Sequence, residues 1–273
     1  MTVRVYLLDE RGLSPADVTG PTLDAVSLRL PGGAYTTLRT YDRARILGLS
    51  AHLQRLADSR AIAGAQYPLD LAAIRAALRA ILERESLPAA RLRLTSPLDG
   101  DRVYISVEPF GNYPPDCYAR GVRCNTARLA RETPRAKLTG FIAPSRALRA
   151  ESDPGIHETL LVDAGDNVLE GVSSNFFAVL DGALRTAEEG VLEGVTRGIV
   201  LAEAAGVAPV DYRPVNLIDL PRLAEAFITS SSREVMPVIQ IDQVRIGASR
   251  PGPITQALMA RYRGHLLRAA ELP

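Results

Sequence analysis

Lys137 is the one lysine in a chain whose 32 basic side chains are otherwise all arginine. Arginine carries charge and forms hydrogen-bonded forks to carboxylates and phosphates. Its guanidinium keeps its proton, however, and so cannot attack an aldehyde carbon, whereas a lysine amine in a dry pocket can. The composition indicates that Lys137 is kept for amine chemistry, with the chance survival of one surface lysine as the alternative.

Four further segments place polar residues beside expected strands and helices. The string H-L-Q-R-L puts Arg55 on the first long helix expected from the sequence. After the lysine, Glu170 precedes a glycine and a run of hydroxyl and amide residues that leads into a strand. Thr196 then opens a helix within G-V-T-R, and Ser230 and Ser231 lie at a strand-to-turn junction. Each segment alone is a weak signal, but their order along the chain is specific.

This order resembles the fold-type IV family of pyridoxal-phosphate enzymes, which contains branched-chain and D-amino-acid transaminases and aminodeoxychorismate lyase. The resemblance extends from about residue 33 to residue 258. It implies that pyridoxal 5'-phosphate is the cofactor, and that Lys137 forms a Schiff base with it and carries a proton between substrate and cofactor. It also implies that Glu170 pairs with the protonated pyridine nitrogen. A solvated carboxylate after a hairpin is the alternative for Glu170.

The resemblance further implies a set of cofactor-binding residues. Val195 and Thr196 would bind the phosphate, because a helix N-terminus offers backbone N–H groups and a favourable dipole. The alternative for Thr196 is that it only caps the helix. The alternative for Arg55 is a solvated side chain, and for Ser230 and Ser231 it is a polar turn that binds no ligand. Besides Glu170, the expected cofactor-binding residues are Arg55, Ser173, Ser174, Val195, Thr196, Ser230 and Ser231.

The expected substrate contacts are less specific. Arg91 and Arg93 alternate with leucines on a predicted strand, so both point to one face. Two cations facing a cavity would suit substrate carboxylates, while a strand face open to solvent is the alternative. Tyr35 and Ser232 are the other expected substrate contacts. The pair Thr36-Thr37 resembles the lyase of the family more than its transaminases.

Bulk composition limits the classes of function. The chain has 273 residues, 47% of them hydrophobic, and a formal net charge of +1 without a basic tail, so no nucleic-acid or membrane partner is expected. Two cysteines and three scattered histidines indicate neither a disulfide framework nor a metal site. No apolar run has the length of a membrane span or the form of a signal peptide. These features predict a cytoplasmic protein.

Hydrophobic periodicity predicts an α/β protein of two domains. Alternating strands and two helices, with Ser50 and Asp70 as their N-caps, precede a break rich in proline and glycine. We therefore expect a small N-terminal α/β domain at residues 1–113, a linker at 114–120 and a larger cofactor-binding domain at 121–273. The resemblance implies that the larger domain contains a mixed β-sheet or pseudo-barrel.

The function implied by the resemblance is transfer of an amino group between an amino acid and a 2-oxo acid by a homodimeric aminotransferase. Aminodeoxychorismate lyase, which forms 4-aminobenzoate and pyruvate, is the alternative supported by Thr36-Thr37 and the paired arginines. A pyridoxal-phosphate-binding relic without activity is a third hypothesis, against which the intact lysine, glutamate and threonine argue. His52 and His157 are expected to be structural, because the lysine already supplies a base.

Overall fold

The computed structural model describes residues 2–273, and its elements follow the predicted order closely. Up to residue 111 the elements are β1 (Arg4–Asp9), β2 (Gly12–Pro15), α1 (Leu23–Ser27), β3 (Gly33–Tyr41), β4 (Arg45–Leu47), α2 (Leu49–Ile62), α3 (Leu71–Glu85), β5 (Ala90–Pro97) and β6 (Val103–Pro109). Every strand and helix predicted in this part of the sequence is present. The short elements β2, α1 and β4 were not predicted, because periodicity is read over longer windows.

The second half of the chain alternates strands and helices. Its elements are α4 (Pro115–Ala119), β7 (Val122–Arg128), α5 (Ile142–Glu151), β8 (Ile156–Val162), β9 (Asn167–Gly171), β10 (Ser174–Leu180), β11 (Ala183–Arg185), α6 (Val195–Glu203), β12 (Val210–Asp211), β13 (Val215–Asn216), β14 (Glu225–Ser230), β15 (Glu234–Ile241), β16 (Val244–Arg245), α7 (Pro253–Ala269) and β17 (Ala270–Glu271). Within residues 2–273, none of these helices has the length and hydropathy of a membrane span.

The two predicted helix caps have different outcomes. Asp70 caps α3 as predicted, because its carboxylate accepts the N–H groups of Ala72 and Ala73 at 3.0 and 2.9 Å. The prediction of Ser50 as the cap of α2 was wrong, since Gly48 is the N-cap residue, with a φ of 66°. The Ser50 N–H instead donates to the carboxylate of Glu271 at 3.0 Å. Glu271, which is distant in sequence, thus accepts a hydrogen bond from the first turn of α2.

Contacts between Cα atoms divide the described chain into two compact units. The first unit contains residues 2–111, 135–144 and 266–273, and the second contains residues 112–134 and 145–265. This division differs from the predicted one, which assigned everything after residue 120 to a single domain. The first unit takes two segments from the C-terminal part of the chain.

Long-range backbone pairing explains why the lysine segment belongs to the first unit. Leu138 forms an antiparallel bridge with Ala34, next to Lys137 in the chain. Thr139 Oγ1 accepts the N–H of Gly33 at 2.9 Å. The C-terminal segment joins the same unit because β17 pairs with β4. Local sequence patterns do not encode such pairings.

In the first unit, α2 and α3 pack against one antiparallel sheet. Its seven strands have the order β17-β4-β3-β5-β6-β1-β2. The core contains the apolar faces of both helices, represented by Leu53, Leu56 and Leu78, and inward-facing strand residues such as Leu38 and Leu92. The helices repeat these apolar residues at helical spacing and the strands alternate them, so the two patterns meet in one core.

In the second unit, six strands close into a barrel. The path β10-β14-β15-β7-β8-β9 returns to its start because β9 also pairs with β10. Strand β7 is parallel to both β8 and β15, and the other pairs in the ring are antiparallel. The mixed sheet or pseudo-barrel predicted for the larger domain is therefore confirmed. Closure of the ring brings β9 beside β10 and thereby sets the positions of several expected site residues.

Arg60 is a buried arginine whose loss should destabilise the first unit. Its side chain is only 2% exposed, and it donates to Ser96 Oγ at 2.6 Å, to the carbonyl oxygen of Tyr67 at 2.9 Å and to that of Pro97. Arg60→Leu should lower the free energy of unfolding by about 3 kcal/mol, because these acceptors lose their donor in a dry environment. Urea unfolding of this variant and of the exposed control Arg11→Leu measures the effect; equal losses would contradict the prediction.

Candidate active site

The backbone of Lys137 is hydrogen-bonded on both sides within the first unit. Its N–H donates to Ser59 Oγ on α2 at 3.1 Å, and its carbonyl oxygen accepts the N–H of Tyr35 on β3 at 2.8 Å. Its Nζ lies 4.8 Å from the centre of the Tyr35 ring. The main chain of the lysine is therefore held between a helix and a strand while its amine lies against an aromatic face. Ser59 was not predicted, since an isolated serine on a helix carries no signal.

Arg55 lies on the same helix and belongs to a buried polar network. Its guanidinium donates to Thr36 Oγ1 at 3.0 Å, and Thr36 Oγ1 is 2.9 Å from His52 Nδ1. Burial first, and then the charges of Arg55 and Lys137, hold the pKa of His52 well below its usual value. His52 is therefore a neutral group beside these two cations.

Arg93 shares the Tyr35 ring with the lysine, but both predicted substrate arginines already pair with carboxylates. The Arg93 guanidinium lies 4.9 Å from the ring centre and forms a 2.8 Å ion pair with Asp24 on α1. Arg91 forms an ion pair with Glu108 on β6. Each of the two arginines on this strand face is thus neutralised by an acidic side chain of the same unit.

Glu170 is a buried carboxylate in the second unit. Its side chain is 2% exposed, and its Oε1 lies 2.7 Å from Nε of Arg131. Its other oxygen accepts hydrogen bonds from Asn175 Nδ2 and from the N–H of Leu192, each at 3.1 Å. Arg131 was not identified from the sequence, because the loop after β7 comes near β9 only through the pairing of both strands with β8. Two hydrogen-bond donors and one ion pair thus fix the orientation of the carboxylate.

The start of α6 is connected to Glu170 through Asn175. Asn175 Nδ2 also donates to the carbonyl oxygen of Leu192 at 2.7 Å. A Cβ placed on Gly194, the N-cap of α6, would lie 2.1 Å from Asn175 Oδ1, so this position needs glycine. Among the described residues, no side chain at the cap accepts a hydrogen bond from the first turn. Val195 and the buried Thr196 therefore open a helix whose N-terminus can receive an anion.

The hydroxyl groups of Ser173 and Ser174 are committed to a carboxylate that the sequence did not indicate. They donate to Glu158 Oε2 at 2.7 and 2.9 Å. Arg233 forms a 3.1 Å ion pair with the same buried carboxylate and donates to Ser173 Oγ at 2.9 Å. Glu158 and Arg233 thus join the turn between β9 and β10 to the turn after β14.

The three expected serines lie at the end of β14 and in the turn that leads to β15. Ser230 Oγ accepts the N–H of Arg233 at 3.1 Å, a hydrogen bond that closes the turn. Ser231 and Ser232 are half-buried at its tip. These serines and the start of α6 belong to the second unit, as does Glu170, whereas Lys137 and Arg55 belong to the first.

The groups described above are of the kinds that pyridoxal 5'-phosphate requires. The cofactor requires an amine for its aldehyde, an anion for its protonated ring nitrogen and several donors for a phosphate dianion. The first unit contains the Lys137 amine and the Arg55 guanidinium. The second unit contains the buried carboxylate of Glu170 and the start of α6 at Thr196, which has no side-chain cap.

Comparison with known proteins identifies the family. A family model described as amino-transferase class IV matches residues 33–241, more than half of the chain. The branched-chain-amino-acid aminotransferase of Pseudomonas aeruginosa is 30% identical over 254 residues, covering 84% of this chain and 82% of that protein. The D-alanine aminotransferase of Listeria innocua is 26% identical over 262 residues, covering 87% of this chain and 88% of that protein.

The fold is also shared with a solved structure. The structure of the T.th. branched-chain amino acid aminotransferase with pyridoxamine 5'-phosphate superposes with a TM-score of 0.82 and 22% sequence identity, covering 96% of this chain and 93% of that chain. At this identity the likeness concerns the fold. The chain therefore belongs to the class IV aminotransferase family, whose members are pyridoxal-phosphate-dependent enzymes of fold-type IV.

Proposed function

We propose that this aminotransferase moves an amino group between an amino acid and a 2-oxo acid through Lys137. The observation that carries the proposal is the placement of the chain's one primary side-chain amine, whose backbone is held by Ser59 and Tyr35. When bound, pyridoxal phosphate withdraws electrons from the substrate carbon that loses its proton. Lys137 Nζ would hold the cofactor and would move that proton, while the Tyr35 ring, 4.8 Å away, would limit the positions open to the amine.

The remaining roles are assigned by residue. Glu170 would hold the ring nitrogen, and its two hydrogen bonds and its ion pair with Arg131 keep the carboxylate in one orientation. Val195 and Thr196, with Arg55 and the serine turn, would bind the phosphate. Ser173 and Ser174 would act through Glu158, because their hydroxyl protons are directed to it, and so shape the cofactor-binding loops rather than donate to the cofactor.

The engaged arginines favour substrates with a single carboxylate. Arg91 and Arg93 each pair with an acidic residue of the first unit, so a second substrate carboxylate would have to displace one of these partners. The Pseudomonas relative is a branched-chain enzyme, and the Listeria relative acts on D-alanine. We therefore propose an amino acid with an apolar side chain as the donor. Tyr35 and Ser232 remain proposed substrate contacts.

A half-reaction series tests the proposed function. The purified holoenzyme is mixed with a panel of L- and D-amino acids, and the loss of the visible cofactor band and the 2-oxo acid formed are recorded. Conversion with apolar amino acids supports the proposal, and the panel also gives the stereochemical preference. Failure of every amino acid, with release of pyruvate and 4-aminobenzoate from aminodeoxychorismate, would overturn it in favour of the lyase. The relatives named above are transaminases and do not support that outcome.

Asp24→Asn should broaden the substrate range. The freed guanidinium of Arg93 can pair with a second carboxylate, so kcat/KM for 2-oxoglutarate should rise about tenfold relative to 2-oxohexanoate, equivalent to one charge-assisted hydrogen bond. Steady-state assays with both acids measure the ratio. Glu108→Gln is a companion variant, since it frees Arg91 and so shows which of the two arginines takes a second carboxylate. An unchanged ratio in Asp24→Asn would show that its pair with Arg93 serves only to fix α1.

We propose a homodimer on the basis of the family resemblance and a cytoplasmic location on the basis of the composition. Both cysteines, Cys117 and Cys124, are buried and unbridged, in keeping with a reducing compartment. Light scattering of the purified full-length chain would measure its oligomeric state, and a monomer under assay conditions would contradict the dimer.

A further inference from the structure

We propose that Thr36 and His52 are positioning residues that orient the Arg55 guanidinium for the cofactor phosphate. The inference rests on the proposed function, because it takes Arg55 as a phosphate ligand. Thr36 lies on β3, whereas His52 and Arg55 lie one turn apart on α2. The three side chains form a closed set of contacts within the first unit.

The side chains of Thr36, His52 and Arg55 lie within hydrogen-bond distance of one another, and the two acceptor residues, Thr36 and His52, are buried. Arg55 Nη2 lies 3.0 Å from Thr36 Oγ1 and 3.3 Å from His52 Nδ1, and the last two atoms are 2.9 Å apart. Thr36 is 0% exposed and His52 is 2% exposed, so neither can exchange its partners for bulk water. Both acceptors therefore act on one guanidinium nitrogen from fixed positions.

The directions of the hydrogen bonds follow from what each group can do. A guanidinium only donates, so Thr36 Oγ1 and His52 Nδ1 must both accept from Arg55. Nδ1 then carries no proton, and the single hydroxyl proton of Thr36 is free to point at it. The imidazole must be neutral, with its proton on Nε2. This protonation state agrees with the depressed pKa of His52 in this buried site.

The network accounts for why a hydroxyl stands at position 36. This group must accept from Arg55 and donate to His52 at the same time, which neither a carboxylate nor an alkyl side chain can do. A long arginine side chain loses rotamer entropy when it is held in one orientation. If the protein holds Arg55 before the phosphate arrives, that entropy is not lost again on binding. Thr36 and His52 therefore act on phosphate affinity through Arg55 and without touching the cofactor.

The network also links the phosphate arginine to the lysine. Thr36 follows Tyr35, whose N–H binds the Lys137 carbonyl oxygen at 2.8 Å, and His52 lies on the helix that carries Ser59, the partner of the Lys137 N–H. One strand–helix pair thus positions both the amine and the guanidinium. If Thr36 has this positioning role, a substitution at Thr36 should weaken binding of the cofactor phosphate and leave binding through the cofactor aldehyde unchanged.

The test compares two ligands on the full-length chain after the cofactor has been removed. Thr36→Val keeps the shape of the side chain and deletes the hydroxyl, and Thr36→Ser keeps the hydroxyl. Affinity is titrated with pyridoxal 5'-phosphate and with pyridoxal, which lacks the phosphate. Thr36→Val should weaken pyridoxal phosphate binding about tenfold and leave pyridoxal binding unchanged, while Thr36→Ser stays within about twofold of the native chain for both ligands.

Two outcomes would overturn the positioning role. One is native pyridoxal phosphate affinity in Thr36→Val, and the other is an equal loss of affinity for both ligands, which would indicate general damage to the fold. If Thr36→Val does not fold, His52→Asn, which retains an acceptor near the Nδ1 position, is compared with His52→Leu under the same expectation for phosphate-specific loss.

Arg55→Met separates the positioning role from the proposed function. Native affinity for pyridoxal phosphate in this variant would remove Arg55 from the phosphate ligands and overturn both ideas. Weakened phosphate-specific binding in Arg55→Met together with native binding in Thr36→Val would overturn the positioning role alone. A parallel loss in the two variants supports both.

Discussion

Lys137→Ala is expected to abolish covalent attachment of pyridoxal phosphate and to lower kcat by at least about 10⁴-fold, because the variant loses both the amine that binds the cofactor aldehyde and the base that moves the substrate proton. Borohydride reduction followed by mass spectrometry should show the cofactor mass on the native chain at Lys137 and none on the variant. The visible absorption band should disappear with it.

Lys137→Arg is the sharper companion variant. The chain uses arginine at every other basic position, and the substitution keeps the positive charge beside the Tyr35 ring. Since a guanidinium keeps its proton at any working pH, this variant should be as inactive as the alanine variant. Appreciable transamination by Lys137→Arg would mean that the lysine contributes charge rather than amine chemistry, and the assignment of Lys137 would fall.

Glu170→Gln should have the second largest effect, and it should act on catalysis and on stability. Loss of the anion that would hold the ring nitrogen should lower kcat about 100-fold, in the range seen for removal of one electrostatic contact to developing charge. Arg131 would be left as a buried cation without its partner, which should cost about 3 kcal/mol of the free energy of unfolding. Single-turnover kinetics and urea unfolding measure the two losses separately.

A double substitution separates the two effects. Glu170→Gln combined with Arg131→Met removes both charges of the pair, so stability should largely return, since a buried ion pair can be replaced by uncharged groups at little cost. Activity should not return, because the anion is still absent. Recovery of kcat in the double variant would show that Glu170 only neutralises Arg131 and has no role toward the cofactor.

Much of the fold could be read from local pattern. Helix α3 repeats apolar residues at helical spacing behind an aspartate cap, and β5 alternates arginine with leucine; both elements form where predicted. The barrel could be expected only from the family resemblance. Strands of two or three residues such as β13 and β17 escaped prediction because they exist only through pairing with distant partners.

In the candidate site, too, some residues could be predicted from the sequence and others could not. Glu170 and Thr196 were predicted from their order relative to Lys137, but their immediate partners were not. Arg131 reaches Glu170 because β7 and β9 both pair with β8, and Asp24 reaches Arg93 because α1 lies against β5. An ion pair between residues far apart in sequence does not alter the hydrophobic periodicity of either segment, so the sequence pattern does not reveal it.

By itself, the sequence determined the chemistry available to this protein. One lysine among arginines and the order of the polar segments point to an amine, an anion and a phosphate site, because these functions depend on residue type. Only the tertiary structure decided how those groups are held. Folding placed the Lys137 segment against β3 and paired each arginine that was expected to bind substrate with a carboxylate. The physical reason is that side-chain chemistry is a property of each residue, whereas its partner, burial and orientation depend on which distant strands pair.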